Sequence, residues 1–143
     1  ENGYIFAIGT DNNAYYRPGV TGDWKQLEGE GSFTFLDINN RGRIYAIKSD
    51  YSTYAREYIT GTWYNTNKAL ATVRVMDDGA AYGIGLNDVS NGIGHIYVRN
   101  GTTDGTWTQI AENNGFNGAY SLWGPSNYRF YWSQNNVVFD EKV

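Results

Sequence analysis

The sequence repeats itself, and the repeat constrains the fold more than any other feature of the chain. Residues 4–11 return in similar form at 43–50 and again at 80–87, so the offsets are 39 and then 37 residues. Self-similarity at a period of this size is typical of folds built from stacked supersecondary units. The chain is therefore expected to be an array of similar units.

Each copy is accompanied by two further markers in the same order. The first is a Tyr-x-Arg triplet, and the second is a Gly-x-Trp triplet whose Trp lies 7, 7 and 8 residues after the arginine. A partial fourth copy closes the chain, and Glu141 aligns there with the arginine. The triplets of the three full copies lie at 15–17, 54–56 and 97–99, and at 22–24, 61–63 and 105–107.

The repeat unit has the pattern of short strands and turns. Apolar segments at 33–38, 72–76 and 120–123 lie between each Gly-x-Trp triplet and the next copy of the repeat, and each predicts a strand. Glycine turns at 39–42 and 77–79 supply the positive φ that tight hairpins need. A composition of 13 Tyr and 18 Gly with 2 Pro fits such strands. One repeat is thus about four strands in roughly 40 residues, the size of a propeller blade.

These features predict a single all-β domain over residues 1–143, a propeller-like repeat of four-stranded antiparallel blades with about 3.5 repeats. The repeats span approximately 3–40, 41–78 and 79–124, with a partial copy at 125–143. Since an open stack of blades exposes sheet edges, the ring closes either with four slim blades or through a homo-oligomer such as a dimer. A β-trefoil is the alternative fold.

Charge and composition exclude several classes of function. The net charge is −4, with 15 acidic and 11 basic residues, so nucleic acid and acidic membranes are poor partners. No apolar run is long enough for membrane insertion. The chain has no Cys, which removes disulfides, thiolate nucleophiles and zinc knuckles. We expect no metal and no other cofactor.

The two triplets each have a structural and a functional interpretation. Tyr and Arg of one triplet share a strand face, where the arginine either ties neighbouring repeats together or helps to hold a ligand. The tryptophan either pins an outer strand to the adjacent repeat or offers a ring face to a sugar. The candidate sugar-binding residues are Trp24, Trp63, Trp107, Tyr15, Arg17, Tyr54, Arg56, Tyr97 and Arg99.

Catalysis has little support in the sequence. His95 is the sole histidine and occurs in one repeat, so it is expected to be a surface or packing residue. A carboxylate pair for glycoside hydrolysis would have to come from Asp11, Asp37, Asp50 or Asp77, yet acids repeated in hairpin turns are better explained by turn chemistry. An active site is normally singular, whereas these features come in threes. The chain is therefore expected not to be an enzyme.

The run 14–29 resembles the tectonin repeat, and the run 54–63 resembles it too. The strand at 33–36 is similar to one of the tachylectin-2 type of propeller. Those families are β-propeller lectins that bind glycans, commonly several per molecule, without metal or catalysis. The resemblance implies sugar sites around Trp24, Trp63 and Trp107 together with the nearby Tyr-x-Arg residues.

The functional prediction is therefore a multivalent lectin that recognises cell-surface glycans through several equivalent weak sites. The resemblance implies a role in defence or surface recognition. The predicted location is secreted, with the cytoplasm as the alternative because the chain has no Cys. Because the fourth copy lacks both the arginine and the Gly-x-Trp triplet, at most three equivalent sites are expected. The alternative is a non-catalytic structural, adhesive or protein-interaction module in which no glycan pocket exists.

Overall fold

The computed structural model describes residues 3–89, 93–101, 103 and 105–110 in full, and the strands at 121–123, 129–134 and 137–142 by their backbone. The secondary-structure elements assigned in these ranges are strands. They are β1 Ile5–Ile8, β2 Ala14–Arg17, β3 Lys25–Gln26, β4 Phe33–Ile38, β5 Arg43–Lys48, β6 Ser52–Glu57, β7 Tyr64–Val75, β8 Ala81–Gly85, β9 Ile96–Arg99, β10 Trp107–Gln109, β11 Ser121–Trp123, β12 Arg129–Gln134 and β13 Val137–Lys142.

Strands that follow one another along the chain lie side by side in antiparallel sheets. One sheet contains β1 to β3, a second contains β4 to β10, and a third contains β11 to β13. The long strand β7 pairs with β6 through its first part and with β8 through its second part. The central sheet is therefore two four-stranded units, β4–β7 and β7–β10, that share one continuous strand, and it contains the predicted unit of four antiparallel strands.

The sheet unit and the sequence repeat are offset by one strand. Strand β4 belongs to the first sequence repeat, yet it pairs with β5 of the second, where Asp37 lies opposite Tyr45 and Leu36 lies opposite Ala46. Strand β7 likewise carries its second half into the unit of the third repeat. Each later unit thus takes its first strand from the preceding repeat, so adjacent units are joined through a strand as well as through packing.

Each unit has two faces, and they pack in a regular order. We define the leading face as the one that carries the Tyr-x-Arg side chains, and the trailing face as the opposite one. The trailing face of the first unit, with Ala14 and Leu27, packs against Ile44 and Ala46 on the leading face of the second. The trailing face of the second unit packs in the same way against the leading face of the third, through Tyr45, Ile47 and Ala55 against Ala81.

The fourth copy pairs in a register that the sequence alignment did not predict. Phe130 lies opposite Glu141, as Phe6 lies opposite Tyr16. Lys142 lies opposite Arg129, the place that Arg17 holds opposite Ile5. The prediction that Glu141 replaces the repeat arginine is therefore wrong, because the hairpin between β12 and β13 is one residue longer than the hairpin between β1 and β2.

A buried arginine joins the second and third units. Arg99 is 0% exposed, and its Nη1 donates a hydrogen bond of 2.8 Å to the hydroxyl of Tyr45. Its Nε donates to the carbonyl oxygen of Gly105 at 3.1 Å, and the guanidinium lies 5.4 Å from the centre of the Tyr64 ring. A charge enclosed to this degree needs such partners, because an unpaired buried charge is costly.

Replacing Arg99 with methionine should lower the free energy of unfolding by about 3 kcal/mol, since buried acceptors of charged hydrogen bonds lose their donor. Tyr45→Phe removes one of these hydrogen bonds and should cost about 1 kcal/mol. Urea denaturation of both single variants and of the double variant measures these effects. Because the two side chains share a bond, the double variant should cost less than the two single effects together. Strict additivity would contradict the bridging role.

Candidate functional site

The tryptophans of the second and third Gly-x-Trp triplets lie between repeats. The indole N–H of Trp63 donates to the carbonyl oxygen of Leu27 at 3.3 Å, and its ring centre lies 4.8 Å from that of Phe33. The indole N–H of Trp107 donates to Oγ1 of Thr66 at 3.0 Å. Both rings are half-buried. Each tryptophan therefore pins its own repeat to the preceding one, as the structural interpretation of the triplet proposes.

Arg56 resembles Arg99 in its position between repeats. Its Nη1 donates to the carbonyl oxygen of Glu28 in the first repeat at 2.9 Å, and its Nη2 donates to that of Ile59 at 2.7 Å. The guanidinium lies 5.5 Å from the centre of the Trp63 ring. Burial lowers the pKa of Arg56, but the ordinary arginine pKa is so high that the side chain stays charged at neutral pH. The first of these hydrogen bonds thus crosses the junction, and the second is made within the second repeat.

The tyrosines of the Tyr-x-Arg triplets have local partners. The hydroxyl of Tyr15 donates to Oδ2 of Asp11 at 2.6 Å, and that of Tyr97 donates to Oδ2 of Asp88 at 2.7 Å. Tyr54 is half-buried and packs against the core between the first and second units. These side chains therefore support the hairpins and the junctions of their own repeats.

The first repeat differs from the other two. Trp24 is 43% exposed, and the guanidinium of Arg17 lies 4.8 Å from its ring centre. A cavity of about 360 Å³ opens beside the ring, and Ala7 and Tyr15 are among its lining residues. Of the nine predicted sugar-binding residues, Tyr15, Arg17 and Trp24 thus form an accessible cluster, whereas the structure places the other six at or near the junctions between repeats.

A second cavity, of about 400 Å³, opens where the first and second repeats meet. Two exposed tyrosines line it, Tyr4 at 38% exposure and Tyr58 at 54%. We call this cavity the Tyr4–Tyr58 groove. Its lining residues are Tyr4, Phe6, Ile38, Asn40, Arg41, Gly42, Tyr58 and Ile59.

The groove combines aromatic rings with polar groups that are available to a ligand. Arg41 is exposed, and its guanidinium has no hydrogen-bond partner among the described residues. The hydroxyls of Tyr4 and Tyr58 are also without a described partner. Apolar side chains form the rest of the lining, so the groove suits a ligand that has both a C–H surface and hydrogen-bonding groups.

The polar side of the groove is held in place by a buried asparagine. Asn39 is 2% exposed, and its Oδ1 accepts hydrogen bonds from the backbone amides of Arg41 and Arg43, each at 2.9 Å. Its Nδ2 donates to the carbonyl oxygen of Met76 in the next repeat at 2.8 Å. This turn is therefore fixed by the protein itself, and a ligand would meet a preformed surface.

The corresponding space at the next junction is occupied. Arg43 takes the repeat position of Tyr4, its Nε lies 2.6 Å from a carboxylate oxygen of Glu57, and its Nη1 donates to the carbonyl oxygen of Gly101 at 3.2 Å. Gly101 in turn takes the repeat position of Tyr58. Among the described residues, the open aromatic groove lies at the junction between the first and second repeats.

None of the polar and aromatic groove residues was predicted from the sequence. The prediction looked for residues that recur in every repeat, whereas the groove is formed where the repeats differ. The sequence did contain a signal, because the residue type at two repeat positions changes from one copy to another. Tyr4 aligns with Arg43 and Ala80, and Tyr58 aligns with Gly19. An exposed aromatic residue at a position that other copies fill differently is the pattern that would have indicated the groove.

Two of the acids considered for catalysis shape hairpin turns, as predicted. Oδ1 of Asp11 accepts from the amide of Asn13 at 3.1 Å, and Oδ1 of Asp50 accepts from the amide of Ser52 at 3.0 Å. The hydroxyl of Tyr15 is the largest influence that lowers the pKa of Asp11, and the Ser52 hydroxyl does the same for the pKa of Asp50. Both carboxylates thus stay ionised and hold their turns.

The other two acids connect neighbouring repeats. Asp37 accepts from the backbone amide of Val75 at 2.8 Å and from the guanidinium of Arg74 at 3.0 Å. Burial raises the pKa of Asp37, and these two donors oppose that rise. Asp77 accepts from the backbone amide and the side-chain amide of Asn40, at 3.0 and 2.8 Å. These carboxylates therefore have structural partners, and the expectation that the chain is not an enzyme stays a prediction.

Within the part of the chain that the structure describes, no three His, Cys, Asp or Glu side chains lie close enough together to hold a metal ion. No helix in these ranges is long and apolar enough to cross a membrane.

His95 is half-buried just before β9, and its backbone amide donates to Oδ1 of Asp88 at 2.7 Å.

No family model matches this sequence, and no curated protein matches it either. Among solved structures, the chain is similar to one described as YCF48 bound to D1 peptide, with a TM-score of 0.67 and 16% sequence identity. The match covers 99% of this chain and 48% of that chain, so this chain spans about half the length of that one. At this identity the similarity shows the fold alone.

The fold is β-propeller-like. YCF48 is a β-propeller, and the antiparallel four-stranded units of this chain have the arrangement of propeller blades. The predicted fold class is confirmed, and the β-trefoil alternative is set aside. The similarity carries no information about sugar binding.

Tyr15→Phe should raise the pKa of Asp11 towards its ordinary value of 3.8, because the carboxylate loses the hydroxyl that most stabilises its charged form. Titration of the carboxyl carbon by NMR measures this. The pKa of Asp50 should not change, and it serves as the internal control. Because the pKa of Asp11 is lower in the folded protein than in the unfolded chain, its ionised carboxylate stabilises the fold at pH values above the unfolded-state pKa. This stabilisation is lost as the pH falls through the folded-state pKa. The variant should therefore lose less stability on acidification below about pH 4. An unchanged Asp11 pKa would rule out this coupling.

Proposed function

We propose that this protein is a carbohydrate-binding module that holds a saccharide in the Tyr4–Tyr58 groove. The observation that carries the proposal is the presence of two exposed tyrosine rings beside a guanidinium that has no described partner, in a groove whose rim is fixed by Asn39. The resemblance of the sequence to lectin repeats supports the same class of ligand.

The chemistry of the groove matches that of a sugar ring. A pyranose presents C–H groups on its faces, which pack on aromatic rings, and hydroxyls at its edge, which bond to polar side chains. Arg41 supplies several donors, and Oδ1 of Asn40 is left as an acceptor, because the Asn40 side-chain nitrogen is bonded to Asp77. Binding does not require a metal in this arrangement.

The proposed site modifies the prediction of several equivalent sites. Arg43 and Glu57 fill the corresponding space at the next junction, so the grooves of the described repeats are unlike one another. Multivalency would then come from several chains or from more than one kind of site. Recognition of cell-surface glycans in defence, outside the cell, remains the biological role that the resemblance favours.

A peptide is the second candidate ligand. The solved structure to which the chain is similar is described as YCF48 bound to D1 peptide, which makes a protein segment a reasonable alternative occupant. The apolar lining of the groove would accept a side chain, and Arg41 would accept a carboxylate. The sugar is favoured here because two exposed aromatic rings line the same groove.

A glycan array probed with the labelled chain tests the proposal. We expect a discrete set of saccharides to bind. Tyr58→Ala and Tyr4→Ala should each weaken their binding roughly tenfold, which corresponds to the loss of one ring contact of about 1.4 kcal/mol. Affinities for the strongest saccharide are measured by titration calorimetry.

Tyr51→Ala is the matched control for Tyr58→Ala. Tyr51 is 45% exposed and has φ 68°, close to the φ 60° of Tyr58, and it is not among the groove residues. This variant should bind saccharides like the parent chain. The proposal would be contradicted if saccharide binding survived both groove substitutions. It would also be contradicted if the chain gave no signal on the glycan array but bound peptides tightly.

Trp63→Ala is a poor test of sugar binding, although the sequence marked Trp63 as a candidate. Its ring packs on Phe33 and its N–H is bonded across the junction, so truncation should lower the free energy of unfolding by about 3 kcal/mol. Thermal denaturation measures the loss. A loss below about 1 kcal/mol would contradict the structural role of this ring.

A further inference from the structure

The Tyr4–Tyr58 groove contains a positive charge that the described part of the protein leaves without a counter-charge. Arg41 is the single charged side chain among the described residues that line the groove, and it is exposed. Its backbone amide is bonded to Asn39, whereas its guanidinium has neither a hydrogen-bond partner nor an ion-pair partner among the described residues. The groove therefore offers a guanidinium to a ligand.

The carboxylates of two neighbouring acids are engaged with other groups. Glu57 borders the groove in sequence, and its carboxylate lies 2.6 Å from Nε of Arg43. Asp77 accepts hydrogen bonds from the backbone amide and the side-chain amide of Asn40, at 3.0 and 2.8 Å. These two acids therefore do not neutralise the charge of Arg41.

The backbone holds one aromatic ring of the groove beside this charge. Gly42 follows Arg41 with φ 85°, and its carbonyl oxygen accepts a hydrogen bond from the backbone amide of Tyr58 at 3.0 Å. The Tyr58 ring lies so close to Gly42 that a Cβ atom at residue 42 would be 2.8 Å from Cδ1 of the ring. The carbonyl oxygen of Tyr58 accepts from Nε of Arg56 at 3.2 Å. The ring is thus held against the residue next to the charge.

A ligand that packs on this ring also changes the surroundings of the guanidinium. It displaces water from the groove, and neutral hydroxyls alone would then leave the charge of Arg41 poorly compensated. A carboxylate compensates the charge, because its two oxygens match the planar fork of a guanidinium. The net charge of the chain is −4, but exposed charges farther away than about 8 Å are largely screened at physiological salt. The local chemistry therefore favours an acidic ligand.

We propose that the groove selects acidic saccharides, with the sugar ring packed on Tyr58 and a carboxylate of the sugar paired with the guanidinium of Arg41. This inference rests on the proposed sugar site and adds the class of sugar to it. Uronic and sialic acids carry a carboxylate bonded directly to a ring carbon. Ring and charge are therefore adjacent in these sugars, as they are in the groove.

Titration calorimetry with matched acidic and neutral sugars tests the proposal. The pairs are a trimer of galacturonic acid with a trimer of galactose, and sialyllactose with lactose. In at least one pair, the acidic sugar should bind about tenfold more tightly than its neutral counterpart, as expected for hydrogen bonds between charged groups. Its affinity should fall as sodium chloride is added, because salt screens the pairing.

Arg41→Gln should weaken binding of the acidic sugar about tenfold and remove its salt dependence, while the neutral sugar binds much as before. The Arg41 side chain has no described partner, so the variant should keep the thermal stability of the parent chain. Lys25→Gln is the matched control, since Lys25 is exposed on strand β3, lies outside the groove and loses the same charge. It should keep the preference for the acidic sugar.

Equal affinities for acidic and neutral sugars, or an acidic preference that survives Arg41→Gln, would overturn the proposal. A preference for sulfated lactose over sialyllactose would overturn the assignment of a carboxylate. The acidic preference and the sugar site fail separately. If neutral sugars bind as tightly as acidic ones and Tyr58→Ala weakens both, the sugar site stands and the acidic preference is wrong. If no saccharide binds, both are wrong.

Discussion

The packing of each repeat on the preceding one is the constraint on which the rest of this structure depends. A three- or four-stranded sheet of short strands has two faces to bury, and it cannot bury either one alone. Here the trailing face of one unit covers the leading face of the next, and arginine and tryptophan side chains bond across the seam to groups of the preceding repeat. Arg56, Arg99, Trp63 and Trp107 all serve this purpose. In the second and third repeats, the recurring arginine and tryptophan therefore hold the junctions together.

The positions at which the repeats differ have another role than the shared positions. At the second junction, Arg43 bridges to Glu57 and to the backbone of Gly101, and the space between the units is filled. At the first junction, a tyrosine stands in place of that arginine, and the space becomes an open groove with a second exposed tyrosine. We propose that this change at one position of an otherwise regular scaffold creates a ligand site.

The sequence predicts the scaffold but not the groove between the first two repeats, for physical reasons. Periodicity, glycine turns and strand patterns report on local backbone geometry, so the four-stranded unit was found. The fourth copy shows the limit of this method, because one extra residue in a hairpin moved Lys142, and not Glu141, to the arginine position. The groove depends on which side chains fill the space between two units. Those side chains come from positions far apart in the sequence, such as Tyr4 and Tyr58, so local sequence patterns do not reveal them. A motif such as Tyr-x-Arg does not show whether its side chains face solvent or the neighbouring repeat.

Shared residues join the repeats, and we propose that a residue difference between them creates the ligand site. An NMR titration of the isotope-labelled chain with its strongest-binding saccharide tests this most directly, since it reports on both sets of residues at once. We predict that the backbone amides of residues 40–42 and 58–59 shift on binding, and that the indole N–H signals of Trp63 and Trp107 stay in place. Shifts of those two indole signals, with no change at residues 40–42, would contradict this division of roles.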